Sequence, residues 1–148
     1  MKKIGLLGLS LLILVVVGAI ITAGQMGETS HAYARGRIIL NPSLEHDAAG
    51  IRTLFIVASG TDRPMPLGAF RKSLSEDAKG VVYDFVLTKD NMQSMMGDAP
   101  WPQSFKLKAR LDRDGAAGPD SSGDLVGEIF PVERGQSDLE IRIDRVVN

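Results

Sequence analysis

Phe105-Lys106-Leu107-Lys108-Ala109-Arg110-Leu111-Asp112 alternates apolar and charged residues without a break. Successive side chains of a β-strand point to opposite faces, so this stretch predicts a strand with one dry face and one wet face. The same period recurs nearby. Leu139, Ile141 and Ile143 alternate with Glu140, Arg142 and Asp144, and Tyr83, Phe85 and Leu87 alternate just after Gly80. Shorter apolar or β-branched runs over 37–40, 53–58, 67–73 and 125–130 bring the strands to about seven. Clusters of Gly, Pro, Asp and Asn separate them, as turns require. Beyond residue 35 no segment holds a helical period over twelve residues; 43–50 and 91–97 have room for one helical turn each. The expectation is an all-β fold, an immunoglobulin-like antiparallel β-sandwich of about seven strands, with a small barrel as the alternative.

The composition narrows what such a fold can do. The chain has no cysteine, which excludes disulfides, thiolate metal sites, thiol redox chemistry and haem attachment through C-x-x-C-H. The sheets must therefore be held by the apolar core. Seventeen Lys and Arg face eighteen Asp and Glu, for a net charge of -1. That balance gives no electrostatic footprint for nucleic acid and no polybasic patch for anionic lipid.

Residues 4–23 are apolar and uncharged, directly behind Lys2 and Lys3. Twenty residues at about 1.5 Å each span roughly 30 Å, one hydrocarbon core, and such a segment must be helical. The lysines favour a cytoplasmic N-terminus. The expected organisation is an N-terminal transmembrane helix as signal anchor over 1–24, a tether over 25–35, and an exported domain over 36–148. In a bacterium this is a single-pass inner-membrane protein with its C-terminal domain in the periplasm. A cleaved signal peptide is the competing reading, because Ala32-Tyr33-Ala34 has the A-x-A form. The apolar block exceeds the roughly 7 to 15 residues of a signal h-region, and the A-x-A lies well past its end.

Four stretches occur in a set order: Leu54-Phe55-Ile56-Val57-Ala58; Arg63-Pro64-Met65-Pro66-Leu67; Leu87-Thr88-Lys89-Asp90-Asn91-Met92-Gln93-Ser94-Met95; and Ser122-Gly123-Asp124-Leu125-Val126-Gly127. Together they resemble the C-terminal periplasmic domain of the cytochrome c-type biogenesis protein of the CcmI/CycH kind. The resemblance covers Gly36 to Val147. It implies a role in c-type cytochrome maturation, where such proteins hold unfolded apocytochrome c for the haem-ligating machinery and catalyse no bond change. The family protein also carries a further membrane segment and tetratricopeptide helices, which this sequence lacks. The implied role is a docking or chaperone-type accessory. Its partners would be proteins of the maturation machinery or apocytochrome c.

No catalytic constellation is visible, and neither enzyme activity, cofactor nor metal is expected. The only histidines are His31, in the tether, and His46, in the polar stretch Leu44-Glu45-His46-Asp47. The residues expected to meet a partner are Pro64, Met65 and Pro66 in a rigid turn, the methionines Met92, Met95 and Met96, and Trp101 between Pro100 and Pro102. A tryptophan on a stiffened loop loses little entropy on binding. The alternatives are that Trp101 caps the core and that the methionines fill irregular gaps in it. Thioethers also suit Cu(I), so a copper-binding protein is a second functional reading. An accessory structural subunit of a membrane respiratory complex is a third. Asp112-Arg113-Asp114-Gly115 and Asp120-Ser121-Ser122-Gly123-Asp124 lack EF-hand spacing and read as loop chemistry. The Lys106, Lys108, Arg110 row reads as a solvated strand face, with contact to an acidic partner as the alternative.

Overall fold

The computed structural model describes residues 31–62 and 65–148. The membrane helix expected over 1–24 lies outside the described residues, as does Pro64. Nine strands form two sheets among the described residues. They are β1 (Ala34–Leu40), β2 (Thr53–Ser59), β3 (Pro66–Ser73), β4 (Val81–Leu87), β5 (Gln93–Ser94), β6 (Ser104–Asp112), β7 (Leu125–Glu133), β8 (Gln136–Ile143) and β9 (Arg145–Val146). One sheet has the order β4-β1-β8, the other β5-β3-β2-β6-β7-β9. Neither closes into a barrel. A 3-10 turn, Pro42–Leu44, runs into a helical turn, Glu45–Ala48. Asn41 starts it by accepting from the Ser43 N–H at 3.1 Å.

Each alternating run buries the face its pattern assigns to the core. Ile38 and Leu40, Phe85 and Leu87, and Ile141 and Ile143 line the inner face of the three-stranded sheet. Leu54, Ile56 and Ala58 meet them from β2, and Phe105, Leu107, Ala109 and Leu111 from β6. Each fully buried Leu, Ile or Phe contributes about 1.5–3 kcal/mol over its exposed state. Gly127 marks a close approach of the two sheets. A Cβ there would collide with the backbone carbonyl of Arg142 on β8, so no other residue fits without moving a strand.

Two expectations are corrected. The sandwich is not wholly antiparallel: β1 runs antiparallel to β4 but parallel to β8. Alternation fixes which way side chains point and says nothing of strand direction. No hairpin joins β1 to β8, so nothing local forces an antiparallel pair. The turn considered for 91–97 is not helical. It holds β5, a two-residue strand that pairs Gln93 with Ala69 and Ser94 with Gly68.

Register decides what shares the outer face of the large sheet. Phe55 on β2 lies between Arg71 on β3 and Arg110 on β6. Val57 lies between Ala69 and Lys108, and Ser59 between Pro66 and Lys106. Lys108 is opposite Glu128 on β7.

Candidate functional site

The outer face of the six-stranded sheet is concave because the loop after β6 folds back over it. Four aspartates hold that loop. Asp112 accepts from the Gly115 N–H at 2.6 Å, and Asp114 from the Ala116 N–H at 2.8 Å. Asp124, fully buried, accepts from the N–H groups of Arg113 and Ser121 at 3.0 and 2.9 Å. Asp120 takes hydrogen bonds from Lys108 and from Arg110 Nη1, the latter at 3.1 Å. This is the turn chemistry expected of short carboxylates that satisfy nearby backbone donors.

Arg110 joins the loop to the sheet. Its side chain is 4% exposed, although it projects from the charged side of β6. Nη1 donates to the Gly118 carbonyl at 2.8 Å, and Nη2 pairs with Asp112 Oδ2 at 3.0 Å. The guanidinium carbon stands 5.1 Å from the centre of the Phe55 ring, a cation–π distance. Nε is buried without a hydrogen-bond partner, and Asp124 Oδ2 is 3.9 Å from Arg110 Nε.

The carboxylates differ in what surrounds them. Burial pushes the Asp112 carboxyl above its ordinary range, and the adjoining Asp114 carboxyl adds to the push. Asp114 is held below the ordinary range by the Ala116 N–H and by its bond to Asp112. Burial alone would raise Asp120; hydrogen bonds from Lys108 and Arg110 outweigh it and keep Asp120 low.

Between this loop and the segment around β5 lies a groove of about 910 Å³. Phe55, Val57 and Ala69 form its floor, and Met95 and Pro66 contribute apolar edges. Arg71 and Lys106 stand at its two ends along the strands. Among the described residues Arg71 makes no ion pair, and Lys106 reaches only Glu128 at 3.7 Å. Glu128 is shared with Arg145 at 3.9 Å.

The residues expected at a partner surface are scattered. Met65 is 62% exposed and precedes Pro66, the first residue of β3. Met95, 54% exposed, and Pro66 share the groove; Met96 is exposed but does not line it. Met92 is buried in the core. A Cβ on Gly68 would sit 3.6 Å from its methyl group, an ordinary contact, and a tight 3.3 Å from the Trp101 ring, so both side chains pack directly over this glycine. With Met92 in the core, the three methionines do not form one exposed thioether cluster. Trp101 is buried as well. It stacks on Tyr33 (ring centres 4.1 Å, planes 6° apart) and meets Phe105 edge-on at 5.3 Å. Arg71 carries no signal in the sequence, and Phe55 stands out there only within an apolar run. Arg110 belongs to the row that reads as a solvated strand face, with contact to an acidic partner as the alternative, and the aspartate-rich loop after its strand is the signal that it is covered. Among the described residues no three His, Asp or Glu side chains are grouped so as to hold a metal ion.

The family model for the cytochrome c-type biogenesis protein H Ig-like domain matches residues 35–144. No curated protein and no solved structure gives a match. The matched span holds both sheets, the loop and the groove. It includes Ser122-Gly123-Asp124-Leu125-Val126-Gly127, where each constrained residue has a visible task. Gly123 adopts a left-handed backbone (φ +91°), Asp124 ties off the loop, Leu125 enters the core, and Gly127 admits the second sheet. The chain belongs to the family of the cytochrome c-type biogenesis protein H Ig-like domain.

Proposed function

We propose that this chain is a non-catalytic docking module of c-type cytochrome maturation, carried by an N-terminal membrane anchor with its immunoglobulin-like sandwich in the periplasm. The match to the biogenesis family across residues 35–144 carries the reading, because family membership suggests a role in that process. The concave face of the large sheet supports a protein partner. It has an apolar floor and flanking cations. Retention of the anchor is supported by the start of the fold. Ala34 is buried in β1, and Tyr33 stacks on Trp101. A cut after Ala34 would remove the stacking partner of the only tryptophan.

Deleting the protein in its native host should lower haem-stained c-type cytochromes in membrane fractions, and the full chain supplied in trans should restore them. Unchanged haem staining in the deletion strain would contradict the proposal.

A further inference from the structure

We infer that the groove on the six-stranded sheet binds an extended, acidic segment of a partner protein, with the pattern acidic–x–apolar–x–acidic. The inference rests on the docking role proposed above and gives its occupant a chemistry.

The shape favours an extended chain. The groove crosses β3, β2, β6 and β7, about 14 Å at the usual strand spacing, and runs about 17 Å along them. The rows of its floor, Phe55, Val57 and Ser59, repeat about every 6.7 Å, which is the spacing of same-face side chains on an extended chain; a helix repeats its face about every 5.4 Å.

The charges set the ends of the pattern. Lys108 and Arg110 are already engaged by Asp120, and Arg110 by Asp112. Among the described residues Arg71 makes no ion pair and Lys106 has only the long, part-exposed contact to Glu128 at 3.7 Å, so these two are the cations most open to a ligand. Arg71 is in register with Phe55, and Lys106 with Ser59. Four residues of strand separate those rows, about 13 Å, and β2 lies between the two strands, so the backbones at Arg71 and Lys106 stand roughly 16 Å apart, an excess of about 3 Å over a ligand's four-residue span that two long side chains can take up. An extended ligand crossing from β3 to β6 therefore meets the two cations with carboxylates four residues apart. Its middle side chain falls over Val57, which is half-buried, and beside Phe55. Side chains at positions i, i+2 and i+4 of a strand share one face, so all three contacts come from the same side of the ligand. A second copy of this chain is a poorer occupant. The groove would need an acidic–x–apolar–x–acidic run, and the match within this chain, Asp124-Leu125-Val126-Gly127-Glu128, is already committed, with Asp124 buried in the loop and Leu125 and Val126 buried in β7.

The probe is a synthetic peptide with a Glu-Ser-Phe-Ser-Glu core, titrated into the full-length chain in detergent and followed by amide NMR shifts. A second peptide replaces both Glu by Lys. The expected result is saturable binding with shifts centred on Phe55, Val57, Arg71 and Lys106. Affinity should be at least about tenfold above that of the Lys peptide and fall as salt is raised. The double variant Arg71→Gln/Lys106→Gln changes only surface cations, so it should fold and lose about tenfold in affinity. Equal binding of the two peptides, shifts on the three-stranded sheet, or no saturation below about 5 mM would overturn the inference. Those outcomes leave the docking role standing if haem staining still depends on the protein. If haem staining does not depend on it, the docking role fails even where the peptide binds.

Discussion

Strands β6 and β8 carry nearly the same written pattern, and their charged faces meet opposite fates. On β8, Glu140 and Arg142 alternate with Leu139, Ile141 and Ile143, and both charged side chains stay in solvent, paired at 2.8 Å while about half exposed. On β6, Arg110 alternates with Ala109 and Leu111 in the same way, yet it is almost wholly buried. The difference does not arise within the strands. The loop between β6 and β7 folds back over β6 and brings Asp120, Gly118 and Asp124 to the guanidinium, whereas among the described residues nothing covers Arg142, which stays about half exposed. Alternation thus tells which side chains leave the core. Whether they reach water depends on what the rest of the chain lays over them.

The largest expected effect tests that contrast. Arg110→Met leaves Asp112 and Asp124 buried without their cation and should cost about 3–5 kcal/mol in urea unfolding. Arg142→Met on β8 should stay within about 0.5 kcal/mol of the parent. Equal losses would show that the loop does not set the two faces apart.

Acid should act on the loop through Asp120. Its folded-state carboxyl lies below the ordinary aspartate value of 3.8. A depressed carboxyl stabilises the fold above its unfolded-state value and loses that contribution as pH falls through the folded-state one. Asp120→Asn should therefore lower the thermal midpoint at pH 7, and the gap between the two proteins should shrink as pH falls below the ordinary aspartate range and through the lower folded-state value. Asp112, raised by burial, works in the opposite sense, since its protonated form is favoured by folding. A gap between parent and Asp120→Asn that persists at acid pH would place the stabilisation outside the carboxylate charge.

A smaller change should follow loosening of the loop at its end. Gly123→Ala puts a side chain at φ +91° and within 3.1 Å of Arg113 Nε, with an expected cost of about 1–2 kcal/mol. Hydrogen exchange at Ser121 and Arg113, whose N–H groups bind Asp124, should quicken before exchange in β8 does. The smallest effect belongs to Glu140→Gln, where an exposed pair is worth about 0–1 kcal/mol by the same unfolding measurement.

Much of the fold was legible in the sequence, and for an identifiable reason. The strands with clear alternation or compact apolar runs lie within two or three residues of their expected positions, because each must turn one face to a core. β5 and β9 were not legible. Two residues carry no period, and these strands exist only because β3 and β7 offer them partners. For Met92 and Trp101 the sequence leaves a partner surface and a place in the core both open, and the core is where they lie. Met92 and Trp101 sit in loop-like sequence among Gly, Pro and Asp, yet both pack over Gly68 of β3, and Tyr33, far off in sequence, stacks on Trp101. A contact made by residues far apart in sequence leaves no mark near the side chain that makes it. The groove was hidden in the same way, since Phe55, Arg71 and Lys106 come from three strands and meet only through register.

The central claim is that the covered, concave face of the large sheet is the working surface and the face of the small sheet is not. Haem-stained c-type cytochromes, measured in a deletion strain complemented with matched protein levels, test this most directly. Arg71→Gln/Lys106→Gln should leave cytochromes near the deletion level, and Arg37→Gln/Arg142→Gln on the opposite face should restore them fully. Full restoration by the first pair, or equal loss with both, would contradict the account.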